Sequence, residues 1–158
     1  VGIKILKSNL YRHIEWPIVI MLAAMIPIGQ ALESTGITAQ IASEVVTFAG
    51  DLHVFWVLMI ILIITMLITD VINNAATAVI MAPFSVNIAL QLGQPLEPFL
   101  MVVAVGASCA FLTPIGHQCN TLVMGPGNYK FSDYWRLGLP LDVLIVLASI
   151  PMILFVWL

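Results

Sequence analysis

A chain of 158 residues with 61% hydrophobic and 8% charged residues excludes an ordinary soluble domain, where about a quarter of residues are charged. A net charge of −3 excludes a nucleic-acid binder, and two cysteines exclude a disulfide scaffold. So apolar a chain is not disordered either, which leaves a polytopic helical membrane protein.

Residues 1–15 carry Lys4, Lys7 and Arg12 and read as a cytoplasmic lead-in. Charge-free runs follow at 16–32, 52–69, 71–96, 98–129 and 143–158. A spanning helix needs about 20 mostly apolar residues, so five membrane segments fit. The apolar residues come in blocks rather than alternating, which argues against a transmembrane barrel. No stretch resembles a cleavable signal peptide. The chain begins at Val1 in polar sequence, as a fragment or one half of something larger would.

The unit 16–50 reads as a transmembrane helix plus an interfacial helix. The first starts at Trp16-Pro17, with Pro harmless in a first turn, kinks at Pro27 and ends at Glu33-Ser34-Thr35-Gly36. Residues 37–49 place Ile37, Ile41, Val45 and Phe48 at helical spacing, which suits a helix lying in the interface or a buried connector. The unit 51–93 reads as two apolar arms around a polar tip, Asp70 to Thr77, with Asn73-Asn74 at its centre. In the unit 94–126, a helix of small and apolar residues at 99–112 is interrupted by Thr113-Pro114-Ile115-Gly116-His117-Gln118-Cys119-Asn120-Thr121. That pattern is a transmembrane helix broken midway. The unit 127–158 is a cytoplasmic loop and a last transmembrane helix over 138–158, with Asp142 as a solvated residue at its start.

The basic residues occupy two places only, Lys4–Arg12 and Lys130–Arg136, and the positive-inside rule puts both in the cytoplasm. An even number of crossings separates them. The stretch 52–92 then contributes either none, as a re-entrant hairpin, or two, as a helical pair; parity does not choose.

Unpaired backbone polar groups cost several kcal/mol each in hydrocarbon. Two polar islands inside apolar segments therefore mark backbone that lines a cavity or is buried in protein. Unwound carbonyls and Asn or Thr oxygens suit sodium, while half-helix N-termini and amide donors suit an anion. The bland reading is cross-helix hydrogen bonding, which either island alone would allow. His117 has no second ligand at metal spacing, so no zinc site is expected. Nothing suggests a disulfide between Cys109 and Cys119, and Cys109 reads as a packing residue. No catalytic motif of the His-Glu-x-x-His or Gly-x-Ser-x-Gly type is present, so no enzyme is expected.

The segments TDVINNAATAVIMAP at 69–83, ASCAFLTPIGHQCNTLVMGPG at 107–127 and GNYKFSDYWRLGLPL at 127–141 resemble the divalent-anion/sodium symporter family, whose members carry dicarboxylates, citrate or sulfate with sodium. The resemblance covers nearly the whole chain. It implies an all-α polytopic membrane protein, here the second inverted repeat with a re-entrant helical hairpin and a broken transmembrane helix, the hairpin entering from outside. The family's hairpin Ser-Asn-Thr falls on Asn73, Asn74 and Ala75, and its loop Thr-Pro-Pro-Asn on His117, Gln118, Cys119 and Asn120. Only Asn74 and Asn120 match directly; Thr77 is the available substitute for the hydroxyl lost at Ala75. The resemblance implies sodium at Asn73, Asn74, Gly116 and Asn120, and substrate at Asn74, Ala75, Thr77, His117 and Gln118. His117 and Gln118 bring N–H donors where the family has prolines, which favours a compact oxyanion such as sulfate.

The resulting expectation is part of a sodium-coupled symporter for a divalent anion, sulfate or a dicarboxylate, working by alternating access. An anion channel or a non-transporting membrane subunit is the alternative. Na+ is the coupling ion, with no cofactor and no other metal. The expected partners are the lipid bilayer, the small anion, the missing N-terminal half of the carrier, and a second copy in a homodimer of the full-length protein. The expected location is the plasma (bacterial inner) membrane, multi-pass.

Overall fold

The computed structural model describes residues 53–158, together with Ile20, Ala23, Pro27, Ala31, Ser34, Thr35, Gly36, Gln40, Ser43 and Glu44. The lead-in, most of the first transmembrane helix and most of the 37–49 helix lie outside the described residues. At the end of the first helix, Thr35 N–H donates to Ala31 O at 3.0 Å and Gly36 adopts φ +69°, a left-handed turn that suits glycine.

Between residues 53 and 158 the chain is helical, with no strand: α1 Val54–Thr69, α2 Asn74–Leu92, α3 Leu96–Ala107, α4 Gln118–Met124 and α5 Phe131–Trp157. α1 buries Val57, Leu58, Ile61, Leu62, Thr65, Met66 and Thr69, a stripe at the three- and four-residue spacing of one helix face. Its other face is also apolar and exposed: Trp56, Ile60, Ile63, Ile64 and Leu67. A helix apolar all round belongs in a protein core or a bilayer. Residues 70–73 turn the chain, and Asn73 starts α2 by accepting Ala76 N–H on its side-chain oxygen at 2.8 Å. Pro83 sits inside α2 without ending it. Gly93, at φ +63°, stops it, with Gln94 N–H returning to Ala89 O and Gly93 N–H to Leu90 O, the paired bonds of a Schellman cap.

α3 packs against both hairpin arms and α5 packs against α3 and α1. The core between them is Leu58, Ile61, Leu62, Ile88, Phe99, Val102 and Ile150, each 1% exposed or less. The closest approach is at Gly106: a Cβ there would lie 2.9 Å from Thr65 Cβ, so only glycine lets α3 seat on α1.

α3 begins at Leu96, with Pro95 as its cap and Pro98 in its first turn where the missing N–H is harmless. It stops at Ala107, five residues before the expected end at 112, and the chain is non-helical from Cys109 to His117. Tertiary bonds have replaced helical ones there, as described below. α5 begins at Phe131 rather than 138; Asp133 accepts Lys130 N–H at 2.8 Å to start it. Asp142 is therefore about three turns inside α5 rather than a solvated residue at its start, and its Oδ1 is buried with no hydrogen-bond partner. Among the described helices, α2 with 19 residues and α5 with 27 are long and apolar enough to cross a membrane. α5 exposes Leu137, Leu144, Leu147, Met152 and Phe155 along its length.

Candidate functional site

The turn between α1 and α2 and the segment between α3 and α4 meet in a cleft of about 200 Å³. It is lined by Asn73, Asn74, Ala75, Ile115, Gly116, His117 and Gln118. Three of these are the cap and first two residues of α2, so the positive end of that helix dipole faces the cleft. No charged side chain lines it.

The turn is tied to α3 through Thr69. Its buried hydroxyl lies 2.9 Å from Ala107 O and 3.0 Å from Asn74 Oδ1. One hydroxyl hydrogen serves both oxygens, so both keep lone pairs for another partner. This bond takes the last carbonyl of α3 and helps end the helix.

Asp70 ties the turn to the next segment. Its Oδ1 accepts Leu112 N–H at 2.9 Å, and its backbone carbonyl accepts the Thr113 hydroxyl. Asp70 is 3% exposed, and its second carboxylate oxygen has no hydrogen-bond partner. Thr113 Oγ1 in turn accepts the N–H groups of Ile115 and Gly116, both at 3.2 Å, folding residues 113–116 into a tight turn. Gly116 lies flat on the hairpin: a Cβ there would be 2.8 Å from Thr69 O and 2.8 Å from Ala110 Cβ.

His117 caps α4, its Nδ1 accepting Cys119 N–H at 3.2 Å. His117 lines the cleft beside Gln118, with Nδ1 already taken by this bond. The far side of the segment is held by Asn120, whose Nδ2 donates to Ala110 O at 2.8 Å and Thr113 O at 3.1 Å. Thr121 Oγ1 donates to Pro114 O at 2.6 Å. α5 backs the segment at Gly138, where a Cβ would lie 2.5 Å from Phe111 O.

Of the residues singled out from the sequence, the structure brings Asn73, Asn74, Ala75, Gly116, His117 and Gln118 to one cleft. It does not bring Thr77 or Asn120 there. Thr77 is wholly buried in the second turn of α2, its hydroxyl without a hydrogen-bond partner. Asn120 lines a separate, mostly apolar cavity of about 240 Å³ behind the segment, with Phe111, Tyr134 and Leu137. Sequence reasoning missed Thr69, Thr113 and Ile115. The first two carried a signal, as hydroxyls flanking the polar islands; Ile115, an apolar residue on the cleft wall, carried none. Among the described residues, no three His, Cys, Asp or Glu side chains gather to hold a metal ion. The side-chain oxygens that line the cleft are neutral ones.

The family model for citrate transporters matches residues 2–106. An uncharacterized transporter of Synechocystis sp. is 38% identical over 150 residues, 95% of this chain and 24% of the relative. An uncharacterized transporter of Escherichia coli (strain K12) is 38% identical over 146 residues, 92% of this chain and 24% of the relative. Sodium/sulfate cotransporter 2 of Chlamydomonas reinhardtii is 27% identical over 139 residues, 87% of this chain and 16% of the relative. The chain thus spans about a quarter or less of the length of these curated relatives.

Proposed function

The chain belongs to the citrate transporter family, membrane carriers of the divalent-anion/sodium symporter type, and from that premise we propose that its cleft forms part of a sodium-coupled anion site in a complete carrier. Sodium sits on the neutral oxygens around the hairpin turn, where Asn73, Asn74 and Gly116, three of the four residues that the family resemblance implies for sodium, line the cleft. The Asn74 amide oxygen and the last carbonyl of α3 share one Thr69 hydrogen, so each retains acceptor capacity for a hard cation. The anion sits on the donor side, against the start of α2 at Ala75 and the N–H groups of His117 and Gln118. The single observation that carries this reading is the meeting of six such residues from two distant segments in one uncharged cleft.

A compact divalent oxyanion fits best. Dicarboxylates are longer and ask for two separated donor sets, whereas Ala75, His117 and Gln118 all line one cleft of about 200 Å³. The Chlamydomonas relative is named for sodium and sulfate, which agrees with this choice. The hairpin is read as re-entrant. α1, with 16 residues, is about 24 Å long against a hydrocarbon core of about 30 Å, and its end carries the polar turn. α5, about 40 Å long, is the spanning scaffold behind it. Alternating access follows from the hairpin and the broken helix moving together, since Thr69 and Asp70 bond them to one another. The relatives are about four times longer or more, and in this reading the rest of the carrier completes the site. A homodimer in the plasma (bacterial inner) membrane completes the proposal.

Uptake by the complete carrier in proteoliposomes tests it. Radiolabelled sulfate and succinate are compared with and without an inward sodium gradient. Sodium-driven sulfate uptake above succinate uptake is expected. Flux indifferent to the sodium gradient would turn the reading toward a channel.

A further inference from the structure

The break between α3 and α4 leaves carbonyls that an unbroken helix would have satisfied, and in a membrane protein such groups need partners. One side chain takes two of them. Asn120 spans the segment from behind, donating to Ala110 O and Thr113 O at 2.8 and 3.1 Å. Both hydrogens of its amide nitrogen are thereby used. Its own backbone carbonyl accepts the Tyr134 hydroxyl at 2.7 Å, from the first turns of α5. Asn120 thus sits at the back of the cleft wall, joined to the spanning helix, and does not line the cleft.

We infer that Asn120 and Tyr134 form a clasp that sets the shape of the cleft wall from behind, with Asn120 a positioning residue rather than a sodium ligand. The inference rests on the transport reading above for its uptake consequences, but not for its structural ones. It separates Asn120 from Asn74, which the sequence reading treated alike. It also gives α5 a role in affinity: a shift of α5 reaches Gly116 and His117 through Tyr134, Asn120 and the two carbonyls, without touching the ligands.

Asn120→Asp discriminates the two roles because they predict opposite signs. A carboxylate in a sodium site tightens sodium binding. In the clasp it replaces two donors with acceptors facing two carbonyls, so the wall loosens and sodium binding weakens. The experiment uses the complete carrier in proteoliposomes, with cysteines outside this chain replaced. The half-saturation concentration for sodium is expected to rise about fivefold in Tyr134→Phe, the effect of one ordinary hydrogen bond, and further in Asn120→Asp. The maximal rate per inserted carrier should change less than twofold. A lower half-saturation concentration in Asn120→Asp, or unchanged values in both variants, overturns the clasp.

A second measurement needs no transport. Cys119 is exposed and Cys109 is 5% exposed, so a water-soluble maleimide reads the wall at one and the core at the other. Both variants should speed modification of Cys119 while Cys109 stays unreactive. Equal Cys119 rates, or acceleration at both cysteines, overturns the inference. Should the wild-type carrier show no sodium dependence, the proposed function fails, while the Cys119 rate still decides the clasp.

Discussion

The packed unit of α1, α2 and α3 and the segment between α3 and α4 solve the same problem in opposite ways. The first is held by shape: an apolar stripe on α1, Phe99 and Val102 on α3, and Gly106 seated against Thr65. Its backbone bonds are helical and need nothing from its neighbours. The second has few helical bonds and almost no apolar core of its own. It is held by Thr69, Asp70, Thr113, Asn120 and Thr121, each bonding a backbone group across a loop or between elements. Shape makes the first region intolerant of changed volume. Directed hydrogen bonds make the second intolerant of lost donors or acceptors. They also make it a place where polar groups can turn toward a ligand.

Adding a side chain at one glycine of each region should break this contrast if it is wrong. The largest effect is expected from Gly116→Val, whose side chain would enter the space of Thr69 O and Ala110. Uptake by the complete carrier should fall about a hundredfold while the thermal midpoint in detergent falls less than in the variant described next, because the clash lies at the end of α1 and not in the apolar core. Next is Gly106→Leu, which forces α3 off α1. It should destabilise the carrier by about 2–3 kcal/mol, read as a lower thermal midpoint and less inserted protein. If Gly116→Val unfolds the carrier and Gly106→Leu does not, the contrast is reversed.

Asp70→Ala removes the acceptor for Leu112 N–H and should cost about 1–2 kcal/mol. Asp70→Asn keeps an oxygen there and should cost less, and thermal denaturation of the pair measures the difference. The smallest effect is expected at Thr77. Its buried hydroxyl has no hydrogen-bond partner, so Thr77→Val should leave stability within about 0.5 kcal/mol of the parent or raise it. The same variant should transport normally, since Thr77 does not line the cleft. A loss of uptake in Thr77→Val would return that residue to the substrate set.

The sequence made the two regions legible to different depths. The hairpin could be read because the polar residues Asp70, Asn73, Asn74 and Thr77 interrupt an apolar block. The interruption at 113–121 was readable for the same reason. Its true start, just past Ala107, was not. Cys109-Ala110-Phe111-Leu112 is apolar and suits a continuing helix. What ends the helix is a set of bonds from Thr69, Asp70 and Asn120, up to 42 residues away in the chain. No local pattern encodes those. Asp142 fails for a related reason. A charge near a basic loop reads as solvated, but α5 starts at Phe131 and carries it inside. The family motif names residues that meet at the cleft, and it also names Asn120, which lines the other cavity. Alignment records position along the chain; the face a residue turns to is set by tertiary packing.

The claim that the cleft between the hairpin turn and the broken helix is the transport site is tested most directly at Ala75. This small residue lines the cleft, and Ala75→Cys in a complete carrier cleared of other cysteines places a thiol there. Its rate of modification by a water-soluble maleimide is measured with sodium alone, with sulfate alone and with both. Protection by sodium and sulfate together, well beyond either alone, is the expected result. A rate that ignores both solutes would contradict the assignment of the cleft.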